Sequence, residues 1–85
     1  MQKQYDFICD PGHGWIEVPR AEVNQLGIAA EISPYSYQKG AFCYLEEDSD
    51  AGKFIDAANA AGWHITFNEV YQENTPIRRY QRYTV

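Results

Sequence analysis

Asp48-Ser49-Asp50-Ala51-Gly52-Lys53-Phe54-Ile55-Asp56-Ala57-Ala58-Asn59-Ala60-Ala61-Gly62-Trp63-His64-Ile65-Thr66-Phe67-Asn68-Glu69-Val70-Tyr71-Gln72 changes its hydrophobic period once, and that change decides the fold class. Ala51, Phe54, Ile55 and Ala58 recur at i, i+3, i+4 and i+7, the stripe of an amphipathic helix capped by Asp48 or Ser49 and ended by Gly62. Trp63, Ile65, Phe67 and Tyr71 then share one side of a strand, opposite His64, Thr66, Asn68 and Gln72, with Glu69 interrupting the apolar face. A one-striped helix followed directly by a strand must pack on a sheet.

Upstream, Tyr5-Asp6-Phe7-Ile8-Cys9 alternates into the turn Asp10-Pro11-Gly12, and Trp15-Ile16-Glu17-Val18 is a second short strand. Pro19 suits the first position of a helix that Gly27 closes, with Val23 and Leu26 toward the core. Tyr35-Ser36-Tyr37 and Ala41-Phe42-Cys43-Tyr44-Leu45 read as a hairpin around Gln38-Lys39-Gly40. The expected fold is therefore α+β, a small antiparallel or mixed sheet of about five strands with two helices packed on one side. Residues 1–73 form the single domain, and 74–85 a basic, tyrosine-containing tail, either docked or flexible.

With 85 residues, 45% of them hydrophobic, the chain suffices for one core and no more. It shows no apolar run of membrane-spanning length and no apolar leader, so the expected location is cytoplasmic, without a membrane partner. Cys9 and Cys43 lie in apolar strands without metal-ligand spacing and read as reduced core thiols. Charge is divided unevenly: all twelve acids precede residue 74, against four bases, while Arg78, Arg79 and Arg82 follow with no acid. An acidic body repels phosphate, which argues against direct nucleic-acid binding and suits a basic protein surface.

Phe7-Ile8-Cys9-Asp10-Pro11-Gly12-His13-Gly14 resembles the N-terminal motif of zinc-dependent N-acetylmuramoyl-L-alanine amidases, whose histidine ligates zinc. The resemblance implies that role for His13 alone; the remaining ligands of a hydrolase site would have to come from Glu22, Glu31 and His64, which match no motif of the family. Trp15 departs from the motif, where a further glycine is typical. The same residues also make a turn without metal: Asp10 forms an Asx-turn, Pro11 fixes φ, and Gly12 and Gly14 supply left-handed conformations. That turn offers His13 and Trp15 as partner contacts.

Two further clusters qualify as contacts. Glu46-Glu47-Asp48-Ser49-Asp50 either stabilises a helix start or presents Glu46, Glu47, Asp48 and Asp50 to a basic partner. Arg78, Arg79, Tyr80, Arg82 and Tyr83 form an arginine-aromatic arm. No Gly-rich phosphate loop or nucleophile elbow is present, so no catalytic residue and no cofactor is assigned.

The span from Tyr5 through Asp10-Pro11-Gly12-His13-Gly14-Trp15-Ile16-Glu17-Val18-Pro19 to Tyr44-Leu45-Glu46-Glu47-Asp48 is similar to small accessory proteins of tailed phages and prophages. The resemblance implies a non-enzymatic protein that binds a host protein or complex, as an anti-defence, anti-CRISPR-like inhibitor does. The alternatives are the zinc hydrolase built on His13 and His64, and a phage structural or morphogenesis protein that self-associates through its tyrosines.

Overall fold

A computed structural model describes residues 2–85. Two features of the first strands set the frame. β1 (Gln2–Cys9) turns back into β2 (Gly14–Pro19), pairing antiparallel from Asp6 with Glu17 to Cys9 with Gly14. Pro19 ends β2 and stands just before α1 (Arg20–Gln25) rather than as its first helical residue. It does so because Arg20 N–H is taken across the sheet by the Ala41 carbonyl.

A short 3₁₀ turn (Ala29–Glu31) leads to β3 (Tyr37–Lys39), which pairs with β4 (Phe42–Glu46). The expected strand over Tyr35-Ser36 begins only at Tyr37, because the Ser36 hydroxyl is directed to Asp50 and Ser36 N–H bonds the Ser33 carbonyl in a turn. Then come α2 (Asp50–Ala60), β5 (His64–Tyr71), a second 3₁₀ turn (Pro76–Arg79) and β6 (Gln81–Arg82). The sheet has six strands in the order β5-β1-β2-β4-β3-β6, mixed because β5 runs parallel to β1. The sixth strand comes from the tail, pairing Tyr37 with Arg82.

The order explains why both helices share a side. β2-α1-β3 and β4-α2-β5 each join parallel strands with others between them, starting from strands of opposite direction and moving opposite ways across the sheet. Right-handed crossovers then place both helices on one face. Val23 of α1 and Ala51, Phe54 and Ala58 of α2 accordingly bury against Tyr5, Ile16, Val18, Cys43 and Leu45. Phe54 meets the Tyr5 ring edge-on at 5.3 Å.

Both helices end in the same device. Gly27 and Gly62 take φ of +73° and +80°, and each donates its N–H to the residue three back, Asn24 and Asn59. The following residues, Ile28 and Trp63, reach back to the Val23 and Ala58 carbonyls and bury beside them. This is the Schellman closure, and it turns each chain end onto the core. At the start of α2, Ser49 occupies the capping position, but its hydroxyl bonds the Glu46 carboxylate instead of a helix N–H.

The opposite sheet face is only half covered. Its upper part, Ile8, Trp15 and Tyr44 with Val70 and Tyr37, lies under Ile77 and Tyr80 of the tail. Thr75 accepts the Ile77 N–H and starts the covering turn. The phase of β5 follows: Ile65 and Phe67 face the helices, Val70 faces the tail, and Tyr71 is 65% exposed because no helix reaches that far. Among the described residues, no helix is long and apolar enough to cross a membrane.

Candidate functional site

The β1–β2 turn is held by one carboxylate. Asp10 Oδ1 accepts the N–H groups of Gly12 and His13 at 2.9 and 2.8 Å, and Asp10 N–H reaches the His13 carbonyl. Gly12 and Gly14 do not adopt positive φ, contrary to the expectation from sequence. Glycine at 14 instead admits the Phe7 ring, since a Cβ there would sit 2.7 Å from the ring carbon Cε1.

The same carboxylate binds the tail. Arg78 donates Nε to Asp10 Oδ2 at 2.6 Å and Nη2 to Oδ1 at 2.9 Å, a bidentate pair. Arg78, more than the turn's own N–H groups, holds the Asp10 carboxyl well below the usual carboxylate range, against the opposing effect of burial. The guanidinium also lies 5.5 Å over the Trp15 ring, while that of Arg82 lies 5.3 Å over Tyr37.

These contacts frame an open cleft of about 460 Å³, lined by His13, Trp15, Tyr35, Tyr37, Glu46, Asp48, Ser49, Arg78 and Arg82. Trp15 forms its floor at 2% exposure, and its indole Nε1 finds no hydrogen-bond partner among the described residues. His13 is half exposed, with Nδ1 3.8 Å from Glu46 Oε1. Glu46 Oε2 accepts the Asp48 N–H and the Ser49 hydroxyl, which fixes that wall. Arg82 donates to the Pro34 carbonyl at 3.0 Å. Tyr35, 68% exposed, forms the lip.

Six of the residues singled out from sequence thus meet here: His13, Trp15, Glu46, Asp48, Arg78 and Arg82. Glu47 is exposed beside Gly14 and off the cleft, and Arg79 is exposed in a smaller depression next to Asp10. Asp50 and Tyr83, expected at the surface, are buried. Asp50 accepts hydrogen bonds from Ser33 N–H, the Ser33 and Ser36 hydroxyls and Lys53, tying the loop before β3 to α2. Tyr83 donates its hydroxyl to the Ala29 carbonyl at 2.6 Å on the helix side. Tyr80 is half buried against Tyr44, with Lys39 over its ring.

The sequence alone does not single out Tyr35, Tyr37 and Ser49 as residues of this cleft. The parity of the β3–β4 hairpin carries the signal for Tyr37, since Tyr37 pairs Tyr44, and Tyr44 shares a face with Trp15 through β2.

The zinc reading fails on geometry. His64 is level with Gln2 at one end of the β1–β5 pair, whereas His13 follows Cys9 at the other. At ~3.3 Å per residue the strand from Gln2 to Cys9 rises about 23 Å, which puts the two histidines at opposite ends of the sheet. Glu22 is engaged by Lys3 and Tyr5. Among the described residues no group of three or more His, Cys, Asp or Glu side chains is placed to hold a metal. Burial pushes the Cys43 thiol up, which disfavours a thiolate there. No family model, curated protein or solved structure matches the chain.

Proposed function

We propose that the chain is a non-enzymatic accessory protein of a phage or other mobile element that binds a host protein with a basic surface, acting as an anti-defence inhibitor, and that the cleft beside Trp15 is its contact. The observation carrying this reading is the cleft itself, which joins the turn, the acidic run and the arginine arm, three segments distant in sequence, in one concavity. Its lip and far wall, Tyr35 with Glu46 and Asp48, suit a lysine or arginine side chain of the partner, which gains ring stacking and a carboxylate together. The chain's own Arg78 and Arg82 already use the neighbouring rings in this way. A net charge of −5 assists approach to a basic surface at low salt.

The test is quantitative capture from phage-infected host cells, comparing the wild-type chain with a Tyr35→Ala, Glu46→Gln, Asp48→Asn variant. Asp50 is left intact because it is part of the core. The variant is expected to keep the wild-type melting temperature and to bind the captured protein at least about tenfold more weakly, roughly 1.4 kcal/mol. Equal capture by the variant, or a captured partner whose contact surface is acidic, would reject the reading.

A further inference from the structure

The two edges of the sheet are unlike. β6 is two residues long, whereas β5 runs eight residues, each paired, among the described residues, with β1 on one side only. Backbone groups of successive strand residues point to alternate sides. Gln72 N–H bonds the Cys9 carbonyl of β1, so the even-numbered residues of β5 address β1. Ile65, Phe67, Glu69 and Tyr71 therefore direct their N–H and C=O groups outward.

Natural edges are blunted by lysine, proline, bulges or shortness. β5 has no lysine, proline or bulge and is not short: its register with β1 is unbroken, and Glu69 on the helix side is its one charged residue. Apolar side chains also flank the open edge on both faces, with Ile65, Phe67 and Val70 half buried and Tyr71 exposed.

We propose that β5 pairs antiparallel with β5 of a second copy, joining two six-stranded sheets into one of twelve strands. A two-fold axis perpendicular to the sheet keeps helix face beside helix face, so opposed residues must have the same parity. The outward-pointing residues must also oppose one another. The register with Phe67 on the axis meets both conditions. It sets Ile65 against Glu69 of the second copy, Trp63 against its Tyr71 and Thr66 against its Asn68. Roughly six backbone hydrogen bonds form between residues 65 and 69 of the two chains. Glu69 never faces itself, and the exposed Tyr71 gains an aromatic neighbour. The separation of the two Glu69 carboxylates and the Tyr71–Trp63 contacts favour a second copy over an unrelated strand. The inference is independent of the cleft, because β5 and the β3–β6 edge lie at opposite sides of the sheet.

Sedimentation velocity on the full chain, up to about 500 μM, is expected to show a concentration-dependent dimer. Glu69→Pro removes an N–H that points outward and none that reaches β1, so it should leave the monomer's circular dichroism unchanged and weaken the dimer at least tenfold. Tyr71→Lys, at an exposed position, should do the same and decides the matter if the proline variant melts early. A monomer at the highest concentration, or a dimer that survives Tyr71→Lys undiminished, overturns the proposal. A monomer whose β5 edge takes up an extended segment of another protein also overturns it.

Discussion

Replacing Asp50 by alanine removes the one carboxylate on which four donors converge. Ser33 N–H at 3.0 Å, the Ser33 hydroxyl at 2.7 Å, the Ser36 hydroxyl and Lys53 at 3.2 Å all end on it. Ser36 is itself fully buried, and its oxygen accepts the Glu46 N–H, so the loss passes into β4. A hydrogen bond to a charged group is worth about 1.5–3 kcal/mol and leaving the buried Ser36 hydroxyl without its acceptor costs about 1–3 kcal/mol; because such bonds are not additive, the expected loss is about 3 kcal/mol. At roughly 4–8 °C per kcal/mol for a domain of this size, 3 kcal/mol lowers the melting temperature by about 12–24 °C.

Calorimetry or thermal circular dichroism at pH 7 measures that drop. The pH dependence supplies a second reading. Burial alone raises the Asp50 pKa, but hydrogen bonds from Ser36, Ser33 and Lys53 overcome it and leave the folded value lowered. A lowered folded pKa stabilises the native state above the unfolded value near ~3.9, and this stabilisation is lost as pH falls through the folded value. The gap between wild type and Asp50→Ala should therefore narrow on acidification below that point. A drop of under about 4 °C at pH 7 would refute the assignment of Asp50 to the core.

Ile77→Ala should cost about 2–4 kcal/mol by urea denaturation, since Ile77 is buried between the tail and Ile8, Trp15 and Tyr44; an exposed arm would lose under about 0.5 kcal/mol. Gly14→Ala should cost about 1–3 kcal/mol in the same assay because the new Cβ overlaps the Phe7 ring, and a neutral result would mean that the turn has room to relax.

The helical and extended periods on either side of Gly62 were legible because each element buries one face against one layer. The same logic misjudged Tyr83 and Asp50. Ile77, Tyr80 and Tyr83 are spaced by three, which reads as one face of a turn, but the chain passes from a 3₁₀ turn into a strand between them. Tyr83 therefore emerges on the helix side and Tyr80 on the other. Asp50 belongs to a run of acids whose composition says solvent, and its burial depends on two serines that approach only when the loop before β3 folds over α2. The cleft was legible in its parts, as turn, acidic run and arginine arm, but not as a whole. Its assembly rests on Asp10 meeting Arg78, a pairing between segments that no local pattern connects.

Because the tail supplies Arg78 and Arg82 to the cleft while also covering Ile8 and Trp15, occupancy and closure are thermodynamically linked. An opening that lifts residues 75–82 from the sheet erases the cleft without unpacking the helix-side core, to which Tyr83 belongs. Conversely, whatever fills the cleft binds only the closed form and draws the equilibrium toward it. The affinity of the occupant is thus set partly by the closure of the tail, and its presence is readable beyond the cleft, as slowed amide exchange where β6 lies against β3.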